Sequence, residues 1–340
     1  MTRRLLSAIV VCIAAAAALV LAWPQLFRLE QVDVVSQIVA MRPLAVLTAL
    51  VLVALFAIVA LIGRGGVRRT FAALAVVGLA FSAVNIAVLA TRGWNSPGMP
   101  EGEASAVRVL NWNTLGDATG AEVVARLALD EGADVVSLPE TSRDLGLQIA
   151  AIMAAEGRTM QSFTVAYDEF LTARSTTLLV STELGEYTAD TDLSTPRTTA
   201  VLPSVVATPV SGDGPTLVST HPVAPVPAEL ESWRLDLQWL AETCADEDVI
   251  VAGDTNSTLD HYTSLAVDGA AIGSCSDAAL ETDAAALGTW PTTLPSVLGA
   301  PIDRVLSGAR WRAAAFHVID TVDDAGSDHR PVVADLVPTG

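Results

Sequence analysis

Three apolar runs open this chain and decide most of what it can be. Leu5 to Ala22, Pro43 to Gly63 and Phe71 to Ala90 carry almost no charge, and each is about the 20 residues that a helix needs to cross a hydrocarbon core. Three transmembrane helices are predicted, at about 5–22, 43–63 and 71–90. A cleaved signal peptide would account for the first run, which follows Arg3 and Arg4, but leaves the next two unexplained. A packed hairpin or bundle accounts for all three. A lipid anchor at Cys12 is disfavoured, because that cysteine follows Val11 inside the run. The spans lack the charged or helix-breaking residues of a transport site, so they read as an anchor. Asn85, in the third, reads as a helix–helix hydrogen bond.

Arginine placement predicts the orientation, since the chain has no lysine. Arg3 and Arg4 precede the first span, and Arg64, Arg68 and Arg69 fill the link between the second and third. By the positive-inside rule these segments are cytoplasmic, which puts everything after the third span outside. Trp23 and Trp94 then fall at the outer interface, against the weaker contrary bias of Arg28 and Arg42. The expected location is the cell membrane, multi-pass, with an extracytoplasmic domain.

Composition changes abruptly near residue 100. Only Glu30 and Asp33 are acidic before it; from Glu101 onward 11 arginines face 36 acids, a formal charge of −25. Such a surface repels polyanions and lacks the basic footprint of a sequence-independent nucleic-acid binder. Nucleic acid is therefore a disfavoured partner, although a bound metal can reverse the local field. Oligomeric state cannot be read. Three cysteines are too few for a disulfide scaffold, and whether Cys244 and Cys275 pair is left open by their spacing.

Residues 92–105 read as a linker rich in Gly, Pro, Ser and Glu. The segment 106–338 then alternates apolar strand-like runs with helical patterns. Strands are predicted at Val107–Trp112, Asp134–Leu138, Thr177–Ser181, Ala200–Ala207, Thr216–Thr220, Val249–Ala252, Asp303–Leu306 and Pro331–Leu336. Helices are predicted at Ala121–Glu131 and Glu229–Cys244. This is an α/β domain of many short strands.

Polar residues that strands do not need gather where these runs end. Asn111-Trp112-Asn113 closes the first, Pro139-Glu140-Thr141 the second and Thr220-His221 another. Gly253-Asp254-Thr255-Asn256 follows Val249–Ala252, and Pro301-Ile302-Asp303 and Ser327-Asp328-His329 come later. Taken singly, each has an ordinary explanation as a turn, a strand-edge charge or a surface histidine. Their joint occurrence in this order does not.

That order resembles the endonuclease/exonuclease/phosphatase superfamily, the deoxyribonuclease-I-like phosphoesterases, across residues 106 to 337. The Gly-Asp-x-Asn and Ser-Asp-His blocks are its most specific parts, and Thr289-Trp290-Pro291 is similar to a membrane-anchored bacterial branch. The resemblance implies a four-layer α/β/β/α sandwich of two packed mixed β-sheets, with the site at one end. It implies a metal-dependent hydrolase in which Glu140, Asp328 and Asn113 serve the metal and Asn113, His221, Asp254, Asn256, Asp303 and His329 the chemistry. Four departures stand out: Pro139 for a glutamine, Thr255 for a bulky apolar residue, Arg304 for a histidine, and Thr177 for a glycine that shapes the pocket wall.

The chemistry of these residue types agrees. Carboxylates are hard ligands suited to Mg²⁺ or Mn²⁺, and only four histidines exist, too few for a histidine-rich zinc site. Asp254 and Asn256 lie two residues apart in an extended segment and face the same way. The expected activity is hydrolysis of a phosphodiester or phosphomonoester, with phospholipid headgroups or small phosphoesters favoured as substrates. The alternatives are an extracellular nuclease and, from another class, a non-catalytic membrane receptor for a phosphorylated ligand.

Overall fold

The apolar runs fold as helices. The computed structural model describes residues 2–98, 106–168, 170–191 and 198–339, in two units, Met1–Arg92 and Gly93–Gly340. The first unit holds α1 (Thr2–Ala22), α2 (Val35–Ala40), α3 (Arg42–Ile62) and α4 (Gly65–Arg92). Among the described residues, α1, α3 and α4 are the helices long and apolar enough to cross a membrane. α4 starts earlier than its apolar run, so Arg68 and Arg69 lie on its first turns instead of in a link. Arginine is a good helix former and lets the helix continue past the apolar boundary.

α4 packs against both α1 and α3. Gly78 permits the close approach to α3, since a Cβ there would stand 2.6 Å from Val53 Cγ2. Asn85 makes the expected interhelical bond, and its partner is Arg42 of α3, which also donates to Ala22 O at 3.1 Å. One guanidinium thus ties the ends of all three long helices, where stray polar groups would be expensive.

The second unit is two six-stranded sheets. The first runs β11-β12-β1-β2-β4-β3, from β1 (Val107–Asn111), β2 (Val135–Pro139), β3 (Met160–Ala166), β4 (Ser175–Ser181), β11 (Trp311–Val318) and β12 (Val332–Pro338). The second runs β5-β6-β7-β8-β10-β9, from β5 (Tyr187–Ala189), β6 (Val205–Pro209), β7 (Thr216–Thr220), β8 (Val249–Asp254), β9 (Ser276–Asp277) and β10 (Asp303–Ser307). β1–β2 and β7–β8 are the parallel pairs, and the remaining ladders are antiparallel.

Period-two alternation sends each strand's side chains to two different cores. Between the sheets, Val109, Val135 and Leu178 meet Leu217, Ile250 and Val305. On the outer face of the first sheet, Leu110, Val136 and Leu179 pack under α5 (Ala121–Asp130) and α6 (Arg143–Ala155) through Val124, Ile149 and Met153. On the outer face of the second, Val218, Val251 and Leu306 pack under α7 (Leu230–Thr243) through Trp233, Leu237 and Leu240. Helix, sheet, sheet and helix make the four layers. Short helices α8 (Leu259–Tyr262) and α9 (Ala278–Glu281) flank the second sheet.

Several details differ from the sequence reading. β3, β5, β9 and β11 are not among the predicted strands; they are the four edge strands of the two sheets, partly exposed and without a clean apolar pattern. Helix α6 was also missed. The strand expected at Ala200–Ala207 starts only at Val205, after Pro203, which has no N–H to offer a ladder. Cys244 and Cys275 are bonded, with Cα atoms 5.2 Å apart, joining the end of α7 to the segment before β9. The first residues of the predicted linker are pinned within the second unit: Asn95 N donates to Asp283 O at 2.7 Å, and Ser96 Oγ meets His317 Nδ1 at 2.8 Å. Residues 99–105 lie outside the described residues.

Candidate active site

Strand direction explains why one rim collects the polar residues. β1, β2, β7 and β8 end there, and β10 and β12, antiparallel to their neighbours, begin there. Asp254 at the end of β8 pairs in register with Asp303 at the start of β10. Asn113 follows β1, Glu140 follows β2, His221 follows β7, and Asp328 and His329 precede β12. All eight residues singled out in the sequence arrive at this rim, from both sheets.

Asp254 is the hub. Its Oδ2 accepts from Asn113 Nδ2 at 3.1 Å and Asn256 Nδ2 at 3.2 Å, and its Oδ1 accepts from the backbone N–H of Asn256 at 2.9 Å. The same Oδ2 lies 3.7 Å from His329 Nε2 and 3.8 Å from His221 Nε2. His329 Nδ1 is bonded to Asp303 Oδ2 at 2.8 Å, and Asn111 Nδ2 donates to Asp303 Oδ1 at 3.3 Å. Glu140 Oε1 accepts from Asn113 Nδ2 at 3.1 Å and stands 3.9 Å from His221 Nε2. Asp328 Oδ1 lies 3.9 Å from His329 Nε2.

Two of these positions are strained. Glu140 and Asn256 adopt left-handed backbone, with φ of 57° and 45°, at a cost of roughly 1 kcal/mol or more each. The surroundings hold them there. Glu140 O accepts from Thr114 Oγ1 at 2.9 Å and Asp117 N at 3.2 Å, and Asn256 O accepts from Trp233 Nε1 at 3.1 Å.

Two amides behave differently from expectation. Asn113 turns its nitrogen to the carboxylates of Glu140 and Asp254, while its Oδ1 accepts from Leu115 N at 2.9 Å. Carboxylates need donors and Leu115 N–H needs an acceptor, so the amide is held as a clamp on the two acids. Asn256 spends its amide on Pro222 O at 3.0 Å and on Asp254.

The electrostatics separate the two histidines. Burial works against a charge on His329, but the carboxylates of Asp303 and Asp254 outweigh it and raise its pKa to about 10. His221 is lowered to about 3, by burial and then by the charge on His329, so it is neutral. Its Nδ1 is buried with no hydrogen-bond partner, whereas Nε2 faces two carboxylates, which places the proton on Nε2. Burial raises Asp254 to about 7, with Asp303 adding to the shift and His329, Asn256 and Asn113 opposing it. Burial also raises Glu140, against its bond to Asn113.

The sequence reading assigned no role to the residues that hold these groups. Trp112 Nε1 donates to His329 O at 2.8 Å, and Ser327 Oγ donates to Asn113 O at 2.6 Å while accepting His329 N at 3.0 Å. Thr289 Oγ1 accepts Asp303 N at 3.1 Å, and Trp290 Nε1 donates to Asp328 Oδ2 at 2.8 Å. The tryptophan flanked by two asparagines and the Thr-Trp-Pro run were the available signals.

Residues 110–329 match the Endonuclease/Exonuclease/phosphatase family. The chain belongs to that family. It is accordingly a hydrolase acting on phosphoester bonds. Similar solved structures include a humanized D. rerio TDP2 carrying 14 mutations, 18% identical with a TM-score of 0.52, over 68% of this chain and 99% of that one. An endonuclease/exonuclease/phosphatase from Beutenbergia cavernae DSM 12333 is 21% identical with a TM-score of 0.52, over 69% and 72%. A truncated Caenorhabditis elegans TDP2 is 15% identical with a TM-score of 0.50, over 70% and 100%. At these identities the likeness is one of fold. No curated protein matches the chain.

The site's charge suits the divalent metal that this family uses. Four carboxylates, Glu140, Asp254, Asp303 and Asp328, face one imidazolium, and Asp328 Oδ1 is buried without a donor. Asp254, Asp303 and His329 are close enough to hold an ion, and within the trio His329 Nδ1 is engaged by Asp303 Oδ2 at 2.8 Å. The carboxylates left under-neutralised are Glu140 and Asp328.

The departures from the family pattern lie behind the site. Arg304 is fully buried, bonded to Asp277 Oδ2 and Pro301 O at 2.8 Å each. Thr255 Oγ1 donates to Ile302 O at 2.9 Å and accepts from Tyr262 Oη at 2.9 Å. Thr177 does not shape a pocket wall: it points at α6, and its hydroxyl bonds Thr141 O at 3.0 Å, bracing the turn after Glu140.

Proposed function

We propose that this chain is a membrane-anchored, divalent-metal-dependent phosphoesterase with its hydrolase domain outside the cytoplasm, acting on phospholipid headgroups or small phosphoesters. The observation that carries the catalytic reading is the Asp254 carboxylate, held by two amides and flanked by one charged and one neutral imidazole. A receptor for a phosphorylated ligand would not need a buried carboxylate kept near neutral pH beside its proton donors.

Glu140 and Asp328 would hold Mg²⁺ or Mn²⁺, which when bound offsets the phosphoryl charge. Asp254 accepts the proton of the attacking water. His329, kept protonated by Asp303, donates to the phosphoryl group as negative charge builds, and His221 Nε2–H adds a neutral donor. Asn113 keeps Glu140 and Asp254 aimed at one volume.

Three arguments support the location and substrate. Arginine placement favours an external domain, a disulfide is at home in an oxidising compartment, and a charge of −25 disfavours polymeric nucleic acid. The test is phosphoester hydrolysis by the purified full-length protein, with and without Mg²⁺, against Asp254→Asn. Activity that needs the metal and falls about 10²–10⁴-fold in the variant is expected. Duplex DNA degraded faster than any lipid or small ester would establish the nuclease reading instead.

A further inference from the structure

The turn that carries Asp254 and Asn256 is held from behind by hydroxyl groups that take no part in the proton transfers. Asp254 closes β8 opposite Asp303 of β10, and one rung further Thr255 N donates to Ile302 O at 2.9 Å. Thr255 Oγ1 donates to the same carbonyl at 2.9 Å and accepts from Tyr262 Oη at 2.9 Å. Tyr262 Oη also meets Ser257 Oγ at 2.7 Å, and Ser257 Oγ donates to Thr255 O at 2.8 Å. One phenol from α8 thus binds the side chains on either side of Asn256.

Tyr262, Thr255 and Ser257 are fully buried, and Tyr262 lies in the apolar layer of Trp233, Leu237, Val251 and Leu306. A phenol and two hydroxyls placed there cost desolvation that a phenylalanine with apolar neighbours would avoid, and only their mutual hydrogen bonds offset it. Burial raises the pKa of the phenol, so the proton it gives to Thr255 is retained. The residue they enclose is strained. Asn256 keeps its φ of 45° because α7 holds its carbonyl, through Trp233 Nε1 at 3.1 Å, while α8 holds its neighbours through Tyr262. The two helices brace each other as well, since the His261 ring stands edge-on to Trp233 with centroids 5.1 Å apart. Asn256 in turn gives Asp254 two hydrogen bonds, from its backbone N at 2.9 Å and its Nδ2 at 3.2 Å. A turn that relaxes takes those donors off the carboxylate.

We propose that Tyr262 is a positioning residue: through Thr255 and Ser257 it fixes the turn of Asp254 and Asn256 in the geometry that hydrolysis needs. The proposal rests on the phosphoesterase reading and adds a residue that acts through Asp254 without touching substrate. A reacting group displaced by about 1 Å can cost about 10²-fold in rate. His221 and His329 meet the phosphoryl group in that reading, so a displaced Asp254 carboxylate lowers kcat and leaves KM nearly unchanged.

Full-length protein with Mg²⁺ is assayed on bis-para-nitrophenyl phosphate and on a series of lipid and small phosphoesters. Tyr262→Phe and Thr255→Val should each lower kcat about tenfold, with KM changed by less than about twofold. Thr255→Ser, which keeps the hydroxyl, should stay within about threefold of the parent, and the double variant Tyr262→Phe/Thr255→Val should fall no further than either single one. Tyr187→Phe is the control: that buried phenol donates to Pro215 O at 3.2 Å, at the end of the sheets away from the rim, and its loss should leave kcat unchanged. Melting temperatures show that each variant is folded in the assay. An unchanged kcat in Tyr262→Phe, with Asp254→Asn inactive, overturns the positioning role and leaves the phosphoesterase reading intact. So does an equal loss of kcat in Tyr187→Phe. Absence of turnover by the parent protein on every substrate overturns both.

Discussion

Burial alone would keep His329 neutral; Asp303 and Asp254 reverse that and carry its pKa up to about 10. Asp254 is moved up to about 7, chiefly by burial. On the roles proposed above, with Asp254 ionised and His329 charged, activity should rise as pH climbs through about 7 and be lost through about 10. Glu140, Asp303, Asp328 and His221 face the same volume, and a bound cation favours the ionised form of Asp254, drawing the acid limb below 7. Asp303→Asn removes the nearest supporting charge from His329. Its pH–rate profile should show the alkaline limb moved down by about 1–3 pH units, with the acid limb drawn down as well, because Asp303 also raises Asp254. An alkaline limb that stays in place would mean that His329 is not the group titrating there.

At the scale of elements, α6 and β4 show how one residue choice forces another. Gly146 of α6 lies so close to β4 that a Cβ would stand 2.7 Å from Thr177 Cγ2 and 3.3 Å from Thr177 Oγ1. Gly146→Ala should destabilise by about 1–3 kcal/mol through overpacking. Thr177→Ala empties the space, so in the double variant the two effects are strongly non-additive in denaturant melts. Additive effects would show that the contact is not the cause. The disulfide makes a second prediction, because it closes a loop 31 residues long. Replacing Cys244 and Cys275 by serine should cost about 3.7 kcal/mol in the same melts.

These elements also mark where the sequence was readable. β1, β2, β7 and β8 are buried on both faces, so their apolar runs stand out without alternation. The polar residues ending those runs were conspicuous for the same reason. β3 and β11 mix polar and apolar residues at the sheet edges and gave no period. Trp112, Trp290 and Ser327 were legible as motif members, but what they hold lies far away in the chain: Trp112 reaches His329 O across 217 residues. Local pattern carries no such information, and an aromatic at a strand end resembles ordinary core.

For the whole molecule, the parity of the spans decides the side on which the chemistry happens. If all three helices cross, the chain's start and the hydrolase unit would lie on opposite faces of the membrane, and Arg3, Arg4, Arg64, Arg68 and Arg69 favour a cytoplasmic start. Cys12 sits in α1 and Cys244 and Cys275 are bonded to each other, so a single introduced cysteine reports cleanly. Ser211 lies in the exposed turn between β6 and β7. In Ser211→Cys, a membrane-impermeant maleimide added to intact cells should label the protein as fully as after permeabilisation. Labelling only after permeabilisation would place the domain in the cytoplasm. The arginine argument would then fail, and soluble cytoplasmic phosphoesters would replace external ones as the substrates to try.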